Sequence, residues 1–215
     1  LDYNKPYFYI KEQGKGKGLE VSLLEYAIIS DRESILKFVL PHCVFFLKQE
    51  ENRVSFLKKA ISYQATNALN MMYKQGISFE AEGGTEESLL FFACKNKLFK
   101  SIEAIIDLGV SVEQSKDETQ DVFSMLIQSA SLKTIKKVLV KHSLDLNHKY
   151  VFIDPRAKEK AELMTPVDYL LLSKKHSAVK VLLDTERVEW ESVEDYIKTL
   201  QYLLEAKNKY LFNRV

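Results

Sequence analysis

The sequence predicts an all-α protein, a solenoid of short helical hairpins stacked one on the next. Three observations predict it. Ala27, Ala60 and Ala93 stand 33 residues apart, and each closes a six-residue segment of one pattern: SLLEYA at 22–27, SFLKKA at 55–60 and SLLFFA at 88–93. At the same offsets beyond each alanine, the chain returns to mostly large apolar residues at the spacings of three and four that stripe one face of a helix. Turn formers are scarce, with 7 Gly and 4 Pro in 215 residues, which disfavours a turn-rich β fold, while 46% hydrophobic residues suffice for a buried core.

Residues 1–18 read as an N-terminal extension or linker. Tyr3, Tyr7, Phe8 and Tyr9 supply surface that packs on something, and GKGKG at 14–18 has the composition of a flexible link without the spacing of a phosphate loop. Residues 19–190 hold about five units. Nine residues past the alanines stand Leu36, Leu69 and Ile102; twelve past stand Val39, Met72 and Ile105; thirteen past stand Leu40, Tyr73 and Ile106. Sixteen past stand Cys43, Gly76 and Gly109, and glycine suits the left-handed position that ends a helix. The fourth unit places Leu126 at the alanine position, followed by Ile135, Val138 and Leu139. The fifth starts at Thr165-Pro166, places Leu170 there, and continues with Val179, Leu182 and Leu183 after a slip of 11 residues.

The physical logic is that one hairpin cannot cover its own apolar stripe, whereas a stacked neighbour can. A small residue at the junction lets helices approach closely. The slip falls in residues 149–163 (KYVFIDPRAKEKAEL), read as a loop that is either functional or a tolerated insertion, with Phe152, Asp154 and Arg156 as its contact candidates. Residues 191–215 read as a C-terminal capping helix. Ser192 and Asp195 form its start, Val193, Tyr196, Ile197, Leu200, Leu203 and Leu204 form its stripe, and Trp190 packs beneath it.

The charge balance, 31 basic against 30 acidic residues, gives no reason to expect nucleic acid or an acidic membrane as partner. No run approaches the roughly 18 apolar residues of a membrane span. Cys43 and Cys94 lie in apolar segments and read as reduced core thiols. His42, His142, His148 and His176 sit in none of the zinc-protease, paired-cysteine or nucleophile-elbow contexts, so the reading includes no catalytic residues, metal or cofactor.

The 33-residue period, the Ser/Thr-x-Leu-x-x-Ala start, the paired apolar residues of the second helix and the terminal glycine resemble ankyrin repeats over residues 19–190. The match is divergent. Thr-Pro occurs only at Thr165-Pro166, the family's His is replaced by Glu25, Lys58, Phe91, Ser124 and Asp168, and the Gly-His turn between helices is absent. The resemblance implies an ankyrin-type helical-hairpin solenoid that holds a protein partner on a concave face, as a monomer. By register, that face comprises Tyr63, Lys95, Asn96, Gln128 and Ser129 on first helices, with Thr85, Glu87, Glu118 and Gln120 at finger tips.

Richness in Lys, Ile, Phe, Tyr and Asn makes the array similar to ankyrin effectors of intracellular bacterial pathogens, which implies virulence-related action on host proteins. The implied location is the cytoplasm or, for an effector, the host cell cytosol. A chain that opens on Leu1 reads as a piece of a longer protein, so the alternative is a targeting arm for an enzyme whose catalytic domain lies outside this chain.

Overall fold

The computed structural model describes residues 6–11, 18–80, 88–112, 121–153, 161–190 and 192–205, and helices dominate them. The chain divides into two compact units, Leu1–Val110 and Ser111–Val215.

The first unit opens with strands β1 (Pro6–Lys11) and β2 (Gly18–Ser22), paired antiparallel with Ile10 opposite Leu19. Tyr7, Phe8 and Tyr9, which the sequence reading placed in an extension or linker, therefore lie on a strand, and that strand lies against α1, while Tyr3 is outside the described residues. Six helices follow: α1 (Leu23–Ser30), α2 (Glu33–Leu47), α3 (Glu50–Ser62), α4 (Thr66–Lys74), α5 (Leu89–Lys95) and α6 (Phe99–Asp107). They form two layers. First helices α1, α3 and α5 pack in sequence, and second helices α2, α4 and α6 do the same.

Ala27, Ala60 and Ala93 are wholly buried, and so are the apolar residues nine and twelve positions beyond them. Leu40 and Ile106 are buried thirteen positions beyond, whereas Tyr73 is 46% exposed and sets its ring edge-on to Phe79 at 5.9 Å. Gly76 and Gly109 take positive φ, 74° and 82°, as helix-ending glycines do. No finger separates α2 from α3, because α2 runs on to Leu47 through Pro41 and α3 starts at Glu50, five residues before Ser55.

The helices begin and turn for local reasons. Ser22 and Glu25 form a reciprocal capping box at α1, and the Ser88 hydroxyl accepts from Phe91 N at α5. Four residues past each alanine the chain turns through left-handed backbone at Asp31, Gln64 and Lys97, with φ of 51°, 52° and 55°. The first two of these turns reach the next hairpin. Ala65 and Leu98 provide no side-chain caps to α4 and α6. Instead the Asp31 carboxylate accepts from Ala68 N at 2.8 Å and Asn67 N at 3.3 Å, and Gln64 Oε1 accepts from Lys100 N at 3.2 Å. The Asp31 and Gln64 turns thus satisfy amides that an isolated helix leaves open.

The second unit contains α7 (Val122–Ser129), α8 (Leu132–Lys141), strands β3 (Tyr150–Ile153) and β4 (Ala161–Met164), α9 (Pro166–Leu172), α10 (His176–Leu183) and α11 (Val193–Glu205). Asp121, Ser131 and Thr165 cap α7, α8 and α9 with side-chain oxygens. Helix α9 packs on α7, α10 and α11, and α10 packs on α8.

Here cations close helix C-termini. Lys175 Nζ donates to the carbonyls of Gln128 and Ile127 at 2.6 and 3.2 Å, and the Arg187 guanidinium donates to those of Leu139, at 3.2 Å, and Leu144. Leu203 lies 33 residues beyond Leu170 and is 1% exposed. The single stripe expected on α11 splits in two: Thr199 and Leu203 are buried, while Val193 and Leu204 are 76% and 63% exposed. Trp190 meets Tyr196 of α11 edge-on at 6.0 Å.

Candidate functional site

The candidate surface in the first unit is built where two adjacent first helices end. Tyr63 is the C-cap residue of α3, and Lys95 and Asn96 are the last residue and C-cap of α5. Because α3 packs against α5 and their alanines share a register, the two ends fall on one edge of the layer. All three residues are exposed, Tyr63 at 45%.

Their side chains are differently committed. Asn96 Nδ2 donates to Phe92 O at 2.8 Å, and the Lys95 ammonium lies 5.7 Å from the centre of the Phe91 ring. The Tyr63 ring stands at the end of its helix. Beneath the edge, Lys58 of α3 lies over the Phe92 ring of α5 at 5.7 Å, a cation–π contact that joins the two helices. Lys59 pairs with Glu25 of α1. Partial burial raises the Glu25 carboxyl, but the Lys59 ammonium and the Ser22 amide outweigh it and hold the group below its ordinary value. The edge therefore offers an aromatic, a cation and an amide on helices held together from below.

The second unit contributes less than the register reading expected. Gln128 and Ser129 are half-buried. Ser129 Oγ donates to Met125 O at 2.6 Å, and the Gln128 carbonyl receives Lys175. The four finger-tip candidates, Thr85, Glu87, Glu118 and Gln120, and the loop candidates Asp154 and Arg156 lie outside the described residues.

Phe152 is a correction. It is fully buried, and its ring stacks on Tyr169 of α9 at 4.4 Å and 11°. Tyr150, two residues earlier on the same strand face, meets Phe123 of α7 edge-on at 5.3 Å. The inserted hairpin thus presents its aromatic face to the helices, and its Phe152 ring is core rather than contact surface. The alternation in Tyr150-Val151-Phe152-Ile153 carried that information, since a β-branched and aromatic run of period two is a strand signal.

Both thiols are buried and free, and desolvation pushes Cys43 up to about 11 and Cys94 up to about 12. Among the described residues no group of three His, Cys, Asp or Glu side chains is placed to hold a metal ion. No described helix is long and apolar enough to cross a membrane. No protein-family model, no curated protein and no solved structure matches the chain.

Proposed function

We propose that the chain is a divergent ankyrin-type array that binds a partner protein, and that the contact in the first unit is the edge formed by Tyr63, Lys95 and Asn96. The observation that carries this reading is the shared register of α3 and α5, whose ends present these residues side by side on a packed layer. Helices already packed lose little freedom on binding, so contact energy is not spent on ordering them. Aromatic and cationic side chains are the residue types that concentrate interface energy.

The test places a photo-crosslinking phenylalanine analogue at Tyr63 and, for comparison, at Lys37 on the exposed face of α2. Partners captured from host-cell lysate at Tyr63 and not at Lys37 support the reading. For a captured partner, Tyr63→Ala with Lys95→Glu is expected to weaken binding by more than about 2 kcal/mol at an unchanged thermal midpoint. Unchanged affinity in the double variant, with loss of binding in Lys37→Glu, would overturn the site.

A further inference from the structure

The edge at Tyr63 has a local charge that the whole-chain balance of +1 hides. Residues 95–100 read KNKLFK, and neither 61–79 nor 88–102 contains an acid. Lys97 and Lys100 are exposed, Lys97 at the left-handed turn between α5 and α6 with φ 55°. Lys95 stands over Phe91 of its own helix, so the other two lysines carry the inference.

Two hydrogen bonds bring this turn to the end of α3. Ser101 Oγ donates to Ile61 O at 2.8 Å, and Lys100 N donates to Gln64 Oε1 at 3.2 Å. Tyr63 lies between the two acceptors in the chain, so its helix end is pinned beside the start of α6. Phe99, the first residue of α6, is 48% exposed, close to the 45% of Tyr63. One hairpin boundary thus carries two exposed rings and two exposed ammonium groups. The acids of the first hairpin's turn are already engaged. The Asp31 carboxylate caps α4 through Ala68 N at 2.8 Å, and Glu33 pairs with Lys37 at 2.7 Å.

We infer that the partner segment received at this edge is acidic, with carboxylates set on Lys97 and Lys100 and one large apolar side chain on the Tyr63 and Phe99 rings. This names the partner chemistry of the site under the proposed function and rests on that reading. Opposite charges across a contact select the partner and speed its encounter. Rings that are half in water gain from being covered by an apolar side chain. A nucleic acid fits less well. Its phosphates need a continuous track of cations, whereas these lysines span one turn, and a chain following the edge toward α1 meets Asp31 and Glu33.

The probe is a short rhodamine-labelled peptide of Glu and Asp around one Leu, followed by anisotropy against the whole chain. Binding is expected to weaken at least about tenfold in Lys97→Glu with Lys100→Glu, and similarly when the peptide's acids are replaced by Gln. It is expected to stay within about twofold in Lys37→Glu with Lys48→Glu, which changes the net charge equally at exposed lysines elsewhere in the unit. Circular dichroism melts check that each variant is folded. No binding of the acidic peptide, unchanged affinity in the Lys97 and Lys100 pair, or equal loss in both pairs would overturn the inference. So would tighter binding of an oligothymidylate of the same charge. The two readings fail separately. A partner crosslinked at Tyr63 that binds the Lys97 and Lys100 pair at full affinity keeps the edge and removes its acidic chemistry, whereas no crosslink at Tyr63 removes the edge itself.

Discussion

Glu25 and Asp168 occupy the same place in their hairpins, two residues before the packing position of the first helix, yet they are held in opposite ways. Glu25 meets an ammonium, Lys59, and a helix-start amide. Asp168 is 3% exposed and meets hydroxyls: Thr199 Oγ1 donates to it at 3.0 Å. Burial raises the Asp168 carboxyl above its ordinary value, and the Thr199 and Thr165 hydrogen bonds offset that only in part. The register decides that a side chain at this position is withdrawn from water. What neighbouring hairpins bring to it decides whether the charge survives.

The same contrast runs through the helix ends. In the first unit a left-handed turn reaches forward and caps the N-terminus of the next second helix, as Asp31 does for α4 and Gln64 for α6. In the second unit a later cation reaches back to a C-terminus, as Lys175 does for α7 and Arg187 for α8. Four residues past Leu126, Ala130 is extended, with φ −74° and ψ 158°, whereas Lys174, four past Leu170, keeps the left-handed turn of the first unit at φ 57°. The orphan groups of short helices are satisfied in both units, with donors and acceptors exchanged.

The largest expected effect tests the aromatic hairpin of the second unit. Phe152→Ala removes a fully buried ring stacked on Tyr169 and is expected to cost about 3–5 kcal/mol in urea unfolding. A loss below about 1 kcal/mol would return the insertion to the status of a tolerated loop. Next comes the packing alanine of the first unit. Ala93→Leu is expected to overpack the layer by about 1–3 kcal/mol, against a change within about 0.5 kcal/mol for exposed Asn96→Ala. Equal denaturation midpoints for the two would break the register.

Smaller effects sharpen the difference in helix ends. Lys175→Met keeps the aliphatic stem but removes the donor to α7, and is expected to cost about 1 kcal/mol. A neutral outcome would mean that water serves those carbonyls equally well. Lys97→Gly relieves left-handed backbone at a side chain exposed to water, and is expected to raise stability by at most about 1 kcal/mol. Destabilisation measured by the same unfolding assay would show that the lysine side chain contributes more than its backbone costs.

The core was legible where periodicity alone decides it. Every residue nine and twelve past the packing position in the five units, from Leu36 and Val39 to Val179 and Leu182, is buried. Phe152 was misread because the insertion was treated as a break in the helical count, and its period of two was passed over. The turns were not legible, since Asp31, Gln64 and Lys97 carry none of the glycine that usually marks left-handed backbone. Nor were the caps that Asp31 and Gln64 form, because each joins residues about 36 positions apart that only the stacking of hairpins brings together. Of the contact candidates, Tyr63, Lys95 and Asn96 stand exposed, while Gln128 and Ser129 are half-buried and the Ser129 hydroxyl bonds back into its own helix.

The central claim is that equivalent positions in the repeat take their chemistry from the neighbouring hairpin, and carboxyl titration followed by carbon-13 NMR tests it most directly. Glu25, depressed when folded, contributes stability that is full above its ordinary value of 4.5 and is lost as pH falls through its folded value. Asp168, raised when folded, binds its proton more tightly in the folded chain, so stability falls as pH rises from its ordinary value of 3.8 through the folded value. Asp168→Asn is accordingly expected to raise the thermal midpoint at neutral pH and to change it little in acid. The Glu25 resonance is expected to titrate below its ordinary value and that of Asp168 above; a reversed order, or two ordinary values, would contradict this.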